Sequence, residues 1–329
     1  MAIIKLTKHL PSGMIRLSNE GTDMAQGILQ NPIFTDEEKA REWLETQVWP
    51  NGPVCPHCGS TDRLTRLQGS AHRPGTFQCN ECRKQFTVTV GTVCERSKIA
   101  LTKWLMAMYL LSASKKGMSA LQLSRMLGIS YQSTWFMMHR IREAMREGTL
   151  SGGMGGQNKV VEVDETYVGG KAKNRKNHVP PKEAVVALVE RDGKVRSFHV
   201  ANVNSETLRP ILVTQISRTS YLMTDESTVY PKIGSEFGGH GTVNHSIEEY
   251  VRGGFWHTNT VENYFSILKR GIVGVYHHVS QSHLKRYVGE FDFRYNSRNV
   301  SDLERAALAA AGIAGKRLTY RRTGQVAHA

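Results

Sequence analysis

Hydrophobic and polar residues follow two different rhythms along this chain, and the change falls near residue 150. Up to that point the dominant period is helical. Thr35 or Asp36 can cap the run FTDEEKAREWLETQVW, where Glu37 and Glu38 in the first turn suit the helix dipole. IALTKWLMAMYLLSASKKG predicts a strongly apolar helix of about 14 residues, too densely apolar for any place but a core. MSALQLSRMLGISYQSTWFMMHRIREAM then predicts two packed helices with a turn at Gly128–Ser130, their contact formed by Leu121, Leu123, Met126, Leu127 and Ile129 against Trp135, Met138 and Ile141. Between the first two helical stretches lies a loop-rich segment, 51–94, ending in FTVTVGTV, whose β-branched residues predict a strand.

SGGMGG at 151–156 is Gly-rich and uncharged, and predicts a linker. Beyond it, strands mix with helices. KVVEVDETYV, EAVVALVE and VRSFHVANV are strand candidates, SETLRPILVTQI is helical, and SYLMTD is a short buried strand. A helix near YPKIGSEF, a short strand at GTVNHS, and helices at TVENYFSILKRGIVG and HLKRYVGEFDFRYNSR complete the pattern. The expected division is a helical segment at 1–50, a cysteine module at 51–94, a helical region at 95–150, a mixed-sheet domain at 157–300 and a tail at 301–329. The fold class is therefore α+β or α/β, with several domains.

Composition narrows the partner. With 40% hydrophobic and 22% charged residues among 329, the chain is a folded protein and not a disordered one. A net charge of +14 favours a polyanion. Residues 1–50 carry net −2, 51–150 carry +9 and 151–329 carry +7, so the excess begins with the cysteine module. Apolar runs are too short for a membrane span, and charges break MAIIKLTKHL too early for a secretory signal, so the expected location is the cytoplasm, with no membrane partner.

Four of the five cysteines form the pattern CxxC-x20-CxxC: Cys55, Cys58, Cys79 and Cys82. Two such knuckles present four thiolates to one tetrahedral Zn²⁺, and the metal replaces a core that so short a segment cannot build. This zinc is structural. His57 lies inside a knuckle as a bystander, and Cys94 reads as a small buried residue. In the helical pair that follows, a DNA-binding arrangement would turn Tyr131, Gln132, Ser133 and Arg140 outward into a major groove, with Arg142 and Arg146 on phosphates. A plain helical hairpin is the alternative.

Three acids carry the chemistry. Asp164 and Asp225 sit near strand ends, and Glu262 sits on a helix with Lys269 two turns later on the same face. Taken singly each has a dull explanation as a cap or a solvated residue. Together, in a basic chain, they suit two divalent cations on a phosphodiester, Asp164 bridging both, Asp225 completing one and Glu262 the other. Lys269 would orient a phosphate. Glu165 and Glu226 adjoin the aspartates and would face the other way on a strand. Lys171, Lys173, Arg175 and Lys176 form a basic hairpin tip, and Arg270, His277, His278, Lys285 and Arg286 extend the basic track, all candidates for DNA contact. His240, His245 and His257 lead into the third acid and are candidates for a phosphate contact, while Asn259 and Asn263 could assist there.

At these residues the chain resembles a known family. CPHC and CNEC, VDETYVGGK, TDES, the VNHSIEEYV run and HTNTVENYFSILKRGIVGVYHHVSQSHLKRYVGEFDFRYNSR are similar to DDE-type insertion-sequence transposases of the prokaryotic, ISXO-like group that carries an N-terminal zinc ribbon. The resemblance spans roughly residues 50–300. It implies an RNase H-like catalytic domain, two Mg²⁺ or Mn²⁺ ions, and recognition of transposon ends by the N-terminal part. Asp164 and Asp225 match the family's first two acids, and Glu262 with Lys269 its third acid and following base. The expected function is binding of double-stranded DNA at terminal inverted repeats, metal-dependent 3′-end cleavage and joining to target DNA, in a homodimer or larger assembly. A metal-dependent nuclease that cuts without joining, and a domesticated DNA-binding regulator, are the competing expectations.

Overall fold

The computed structural model describes residues 27–146, 153–169, 182–243 and 257–319. Two compact units divide the chain. One takes residues up to Ala113, Ala120–Met145 and those from Asp302 onward, and the other takes Ser114–Ser119 and Arg146–Ser301.

The first unit opens with α1 (Glu37–Val48), where Asp36 accepts from the amides of Glu38 and Lys39 at 2.7 and 3.1 Å. Strands β1 (Leu64–Arg66), β2 (Phe77–Cys79) and β3 (Gln85–Phe86) form a small antiparallel sheet in that order. Its core is Cys55, Phe77, Cys79 and Phe86, with Trp49 packed edge-on against both phenylalanines. The strand expected over FTVTVGTV stops at Phe86. Beyond it Thr87 bonds Thr89, the Thr92 hydroxyl donates to Thr89 O, and the Val90 amide donates to Thr87 O. Threonine hydroxyls that capture nearby backbone turn the segment instead of extending it.

Three helices follow in this unit: α2 (Leu101–Ala113), α3 (Ala120–Leu127) and α4 (Tyr131–Met145). Glu37 caps α2 from a distance, accepting from the Leu101 and Thr102 amides and the Thr102 hydroxyl. Gly128, at φ +61°, makes the α3–α4 turn in the left-handed region that favours glycine. The helix contact uses Leu123, Leu127, Met137, Met138 and Ile141, all buried, whereas Leu121 and Met126, expected inside, are exposed. The tail expected from residue 301 is instead a helix, α9 (Asp302–Ala311), packed on α1, α2 and α4. Ala306, Ala309, Ala310 and Ile313 are buried, and the amide of Val93 donates to Ile313 O at 3.3 Å. An Ala-rich face lets that helix approach closely, so this unit is closed by residues from both ends of the described chain.

The second unit is a five-stranded mixed sheet: β4 (Val160–Val168), β5 (Glu183–Glu190), β6 (Val195–Val200), β7 (Tyr221–Asp225) and β8 (Gly239–Val243). The spatial order is β6-β5-β4-β7-β8. β5 runs antiparallel to both of its neighbours, β4 and β6, and β7 and β8 run parallel to β4. This is an RNase H-like arrangement. One face packs on α5 (Ser205–Gln215) and α6 (Pro231–Gly234) through Val161, Val163, Leu208, Leu212 and Ile233. The other face packs on α7 (Asn259–Gly271) and α8 (Gln281–Asn296) through Val185, Ala187, Val189, Val261, Phe265 and Val288. Part of the expected linker belongs to the first of these cores: Met154 is buried and pairs with Ile216. A π-helical turn, Ile272–Tyr276, extends α7. Tyr276 donates to the buried Glu290 at 2.6 Å and fills the space left by Gly117, at φ +95°.

Candidate functional site

Sheet register brings the first two acids together. Val160, Val161 and Glu162 of β4 lie beside Tyr221, Leu222 and Met223 of the parallel β7. Carried two residues further, the same register sets Asp164 level with Asp225. Aligned residues on adjacent strands point to one side. That side follows from β5, because Asp164 pairs with Ala187, whose side chain is in the core beneath α7. Glu262 lies in the first turn of α7, so all three acids converge on one face of one sheet.

The electrostatics agree. Burial pushes the Asp164 carboxyl up to about 7; the amide of Glu165, donating at 2.7 Å, opposes this, and the negative charges of Glu165, Asp225 and Glu262 reinforce it. Added positive charge, such as a divalent cation, would favour the ionised form of this group. The carboxylates are nevertheless not drawn into one tight cluster. Among the described residues, only the four thiols form a group of three or more metal-capable side chains with all ligand atoms within 4.8 Å of one another.

Each acid has its own support. The Asp225 carboxylate accepts from the amide of Ser227 at 3.1 Å. Glu262 accepts from the Thr258 hydroxyl at 3.0 Å. Glu165 turns to the opposite face, as alternation requires, and there the buried Tyr230 hydroxyl donates to it at 2.5 Å. Burial raises Glu165 above the ordinary carboxylate range and raises the Tyr230 phenol with it, the phenol also facing the Glu165 charge. Glu226 is exposed beyond the end of β7.

Lys269 and Arg270 are exposed on α7, as are His277, His278 and Lys285 beyond it, with Arg286 half-buried. Asn259 and Asn263 are exposed on the same helix. His240 lies on the far face of the sheet, its Nε2 2.9 Å from the Thr224 hydroxyl, and burial lowers its pKa. His257 sits at the start of α7 with Nδ1 3.2 Å from Glu162. Lys171, Lys173, Arg175, Lys176 and His245 lie outside the described residues.

In the other unit, Tyr131, Gln132 and Ser133 are exposed at the start of α4, as expected. Arg140 is not outward. It is 7% exposed, donates to Glu95 O at 2.6 Å and stacks between Trp104 and Phe136 at 5.2 and 5.5 Å. Arg142 is buried as well. Helical spacing alone put Arg140 on the face of Ser133, but α4 also abuts α2, and that second contact claims it. Cys94 is buried, and burial pushes its thiol up to about 12, so it is an inert core residue.

The four thiols fit zinc. Cys55 Sγ lies 3.7 Å from Cys82 Sγ, and Cys58 Sγ 3.6 Å from Cys79 Sγ. Zn–S bonds of about 2.3 Å imply tetrahedral edges of roughly 3.8 Å. The metal these residues hold is a structural Zn²⁺.

Glu162 has no counterpart in the sequence reading. It is fully buried on β4, two residues before Asp164 and on the same face. Its oxygens accept from the Thr260 amide at 2.8 Å, the Thr260 hydroxyl at 2.9 Å, the Val261 amide at 3.0 Å and Arg191 Nε at 2.7 Å. The available signal was a charge in the middle of the apolar run KVVEV.

Comparison with known proteins follows the same division. Residues 35–85 match a transposase zinc-ribbon domain, and residues 150–296 match an ISXO2-like transposase domain. The chain is 26% identical over 281 residues to an uncharacterized protein in transposable element ISH50 of Halobacterium salinarum, covering 79% of this chain and 91% of that protein. It also has a slight likeness to a chain from a cryo-EM structure of the simian T-cell lymphotropic virus intasome in complex with PP2A regulatory subunit B56 gamma. That match has 13% identity and a TM-score of 0.26 over 52% of this chain and 63% of that one, too little to bear on the fold. By these two matches the chain carries a transposase zinc ribbon followed by an ISXO2-like transposase domain.

Proposed function

We propose that this transposase binds the terminal inverted repeats of its element, cleaves DNA at their 3′ ends by hydrolysis, and joins the exposed 3′-hydroxyls to target DNA. The observation that carries the reading is the convergence of Asp164, Asp225 and Glu262 on one face of the sheet, where the charges of Asp225 and Glu262 add to the burial that holds the Asp164 carboxyl up. Asp164, Asp225 and Glu262 would hold two Mg²⁺ or Mn²⁺ ions. Such ions supply Lewis-acid activation of a water or 3′-hydroxyl and stabilisation of the leaving oxygen.

The chain's own groups do the rest. Two parallel strands fix Asp164 and Asp225 side by side, and the Ser227 amide and Thr258 hydroxyl orient Asp225 and Glu262. Lys269 and Arg270 offer exposed positive charge two turns along α7 for backbone phosphates. End recognition falls to the zinc ribbon and the α3–α4 pair, with Tyr131, Gln132 and Ser133 toward base edges and the net positive charge of that region supplying phosphate attraction. Because two ends must be joined together, the working form is a homodimer or larger assembly. Among the described residues no helix is long and apolar enough to cross a membrane. The free thiols of a zinc ribbon suit a reducing compartment, so we place the reaction in the cytoplasm.

The test is strand transfer in vitro with purified zinc-loaded protein, Mg²⁺ and a duplex carrying the sequence that flanks the gene. Joined products that vanish with Asp225→Asn are expected. Cleavage without joining would make the protein a nuclease, and specific binding with neither reaction would make it a regulator.

A further inference from the structure

We infer that Glu162 is a positioning residue that locks the helix carrying the third acid onto the strand carrying the first. The inference rests on the transposase reading of Asp164, Asp225 and Glu262. A helix begins with amides that have no partner inside it, and a side chain of the preceding residue ordinarily accepts from them. In α7 that preceding residue is Thr258, and it makes no capping bond. The Thr258 hydroxyl is instead 3.0 Å from the Glu262 carboxylate. The capping role passes to Glu162, from the neighbouring strand, which takes the Thr260 and Val261 amides at 2.8 and 3.0 Å. Arg191 completes the arrangement, donating Nε to Glu162 at 2.7 Å and Nη2 to the His257 carbonyl at 2.8 Å.

Three consequences follow from this geometry. Glu162 is two residues from Asp164 on one strand, and its partner amides are one and two residues from Glu262 on the helix. A single fully buried carboxylate therefore spans the shortest route between the first and third acids. By taking over the cap, it leaves the Thr258 hydroxyl for orienting Glu262. Its negative charge is matched by Arg191 and by the positive end of the helix, so it adds little repulsion to the acids beside it. Groups that orient metal ligands without touching metal typically change metal affinity or activity by about 10–100-fold when altered.

The experiment is joining of end-bearing duplex by the full zinc-loaded chain as a function of Mg²⁺ concentration, with melting curves alongside. Glu162→Gln keeps the volume but places an amide where two donors now point. It is expected to raise the Mg²⁺ concentration for half-maximal joining by about tenfold or more, with Mn²⁺ recovering part of the loss and end binding intact. Glu290→Gln is the control, a buried carboxylate of α8 paired with Arg294 and Tyr276 in the same unit. It should lose stability without moving the Mg²⁺ midpoint. Should Glu162→Gln fail to fold, Thr258→Val is expected to shift the midpoint in the same direction by roughly threefold or more. A wild-type midpoint in whichever of these variants folds overturns the inference. If Asp164→Asn and Glu262→Gln join DNA normally, the transposase reading itself fails and this inference with it.

Discussion

Asp164 should make the folded protein less stable than it would be with a neutral residue there. An unfolded Asp releases its proton near 3.8, whereas the folded Asp164 holds it to about 7. Wild-type stability therefore falls as pH climbs between those values, and the deficit is complete above 7. A shift of that size corresponds to roughly 4 kcal/mol at pH 8 and to no more than about 2 kcal/mol at pH 5. Asp164→Asn removes the charge while its carbonyl still accepts from the Glu165 amide. Allowing for partial solvent access, the variant should gain about 2–4 kcal/mol at pH 8 in buffer without Mg²⁺. For a unit of this size that is roughly 5–10 °C in melting temperature. Melting followed by circular dichroism, with bound zinc retained, measures it directly. The gain should at least halve at pH 5, Mg²⁺ should stabilise the wild type but not the variant, and joining activity should be lost. An Asp164→Asn protein that melts no higher than wild type at pH 8, or whose advantage is equal at pH 5 and 8, would refute the reasoning.

Ile313, fully buried where the chain returns to the first unit, should cost about 2–4 kcal/mol when cut to Ala, and deletion of residues from 302 onward should abolish end binding although all three acids remain; gel shift and melting test this. Cys55→Ser should lose bound zinc, measured by dye release, and with it end binding, because the metal stands in for a core in that module. Arg140→Ala should destabilise by roughly 2–3 kcal/mol through its lost stacking and its bond to Glu95 O, whereas Gln132→Ala should leave melting within about 0.5 kcal/mol and weaken end binding about tenfold. Tyr230→Phe should cost about 1–3 kcal/mol by leaving the half-buried Glu165 carboxylate without this donor, seen in denaturant melts.

The legible part of this protein was whatever depends on local spacing. Paired CxxC knuckles, the Asp36 cap of α1, the Gly128 turn and the β-branched strands of the sheet are set by neighbours a few residues apart, and the structure has them where the pattern put them. The acids were legible as candidates because carboxylates in a basic chain need a reason, and alternation along a strand already separated Asp164 from Glu165. What the pattern lacked was any long-range contact. Arg140 looked outward because one helix face predicts only one partner, while α4 packs on α2, α3 and α9. FTVTVGTV looked extended because propensity does not register threonine hydroxyls turning on their own backbone. The return of α9 to the first unit joins residues some two hundred positions apart, a separation no periodicity encodes. The register that sets Asp164 level with Asp225, and the buried Glu162 that ties α7 to β4, belong to that same class. Sequence by itself determined which chemical groups the protein carries and which short elements bear them. Tertiary structure alone decided which of those groups meet, because a carboxylate's partners are chosen by distance through space and by the cost of burying a charge unpaired.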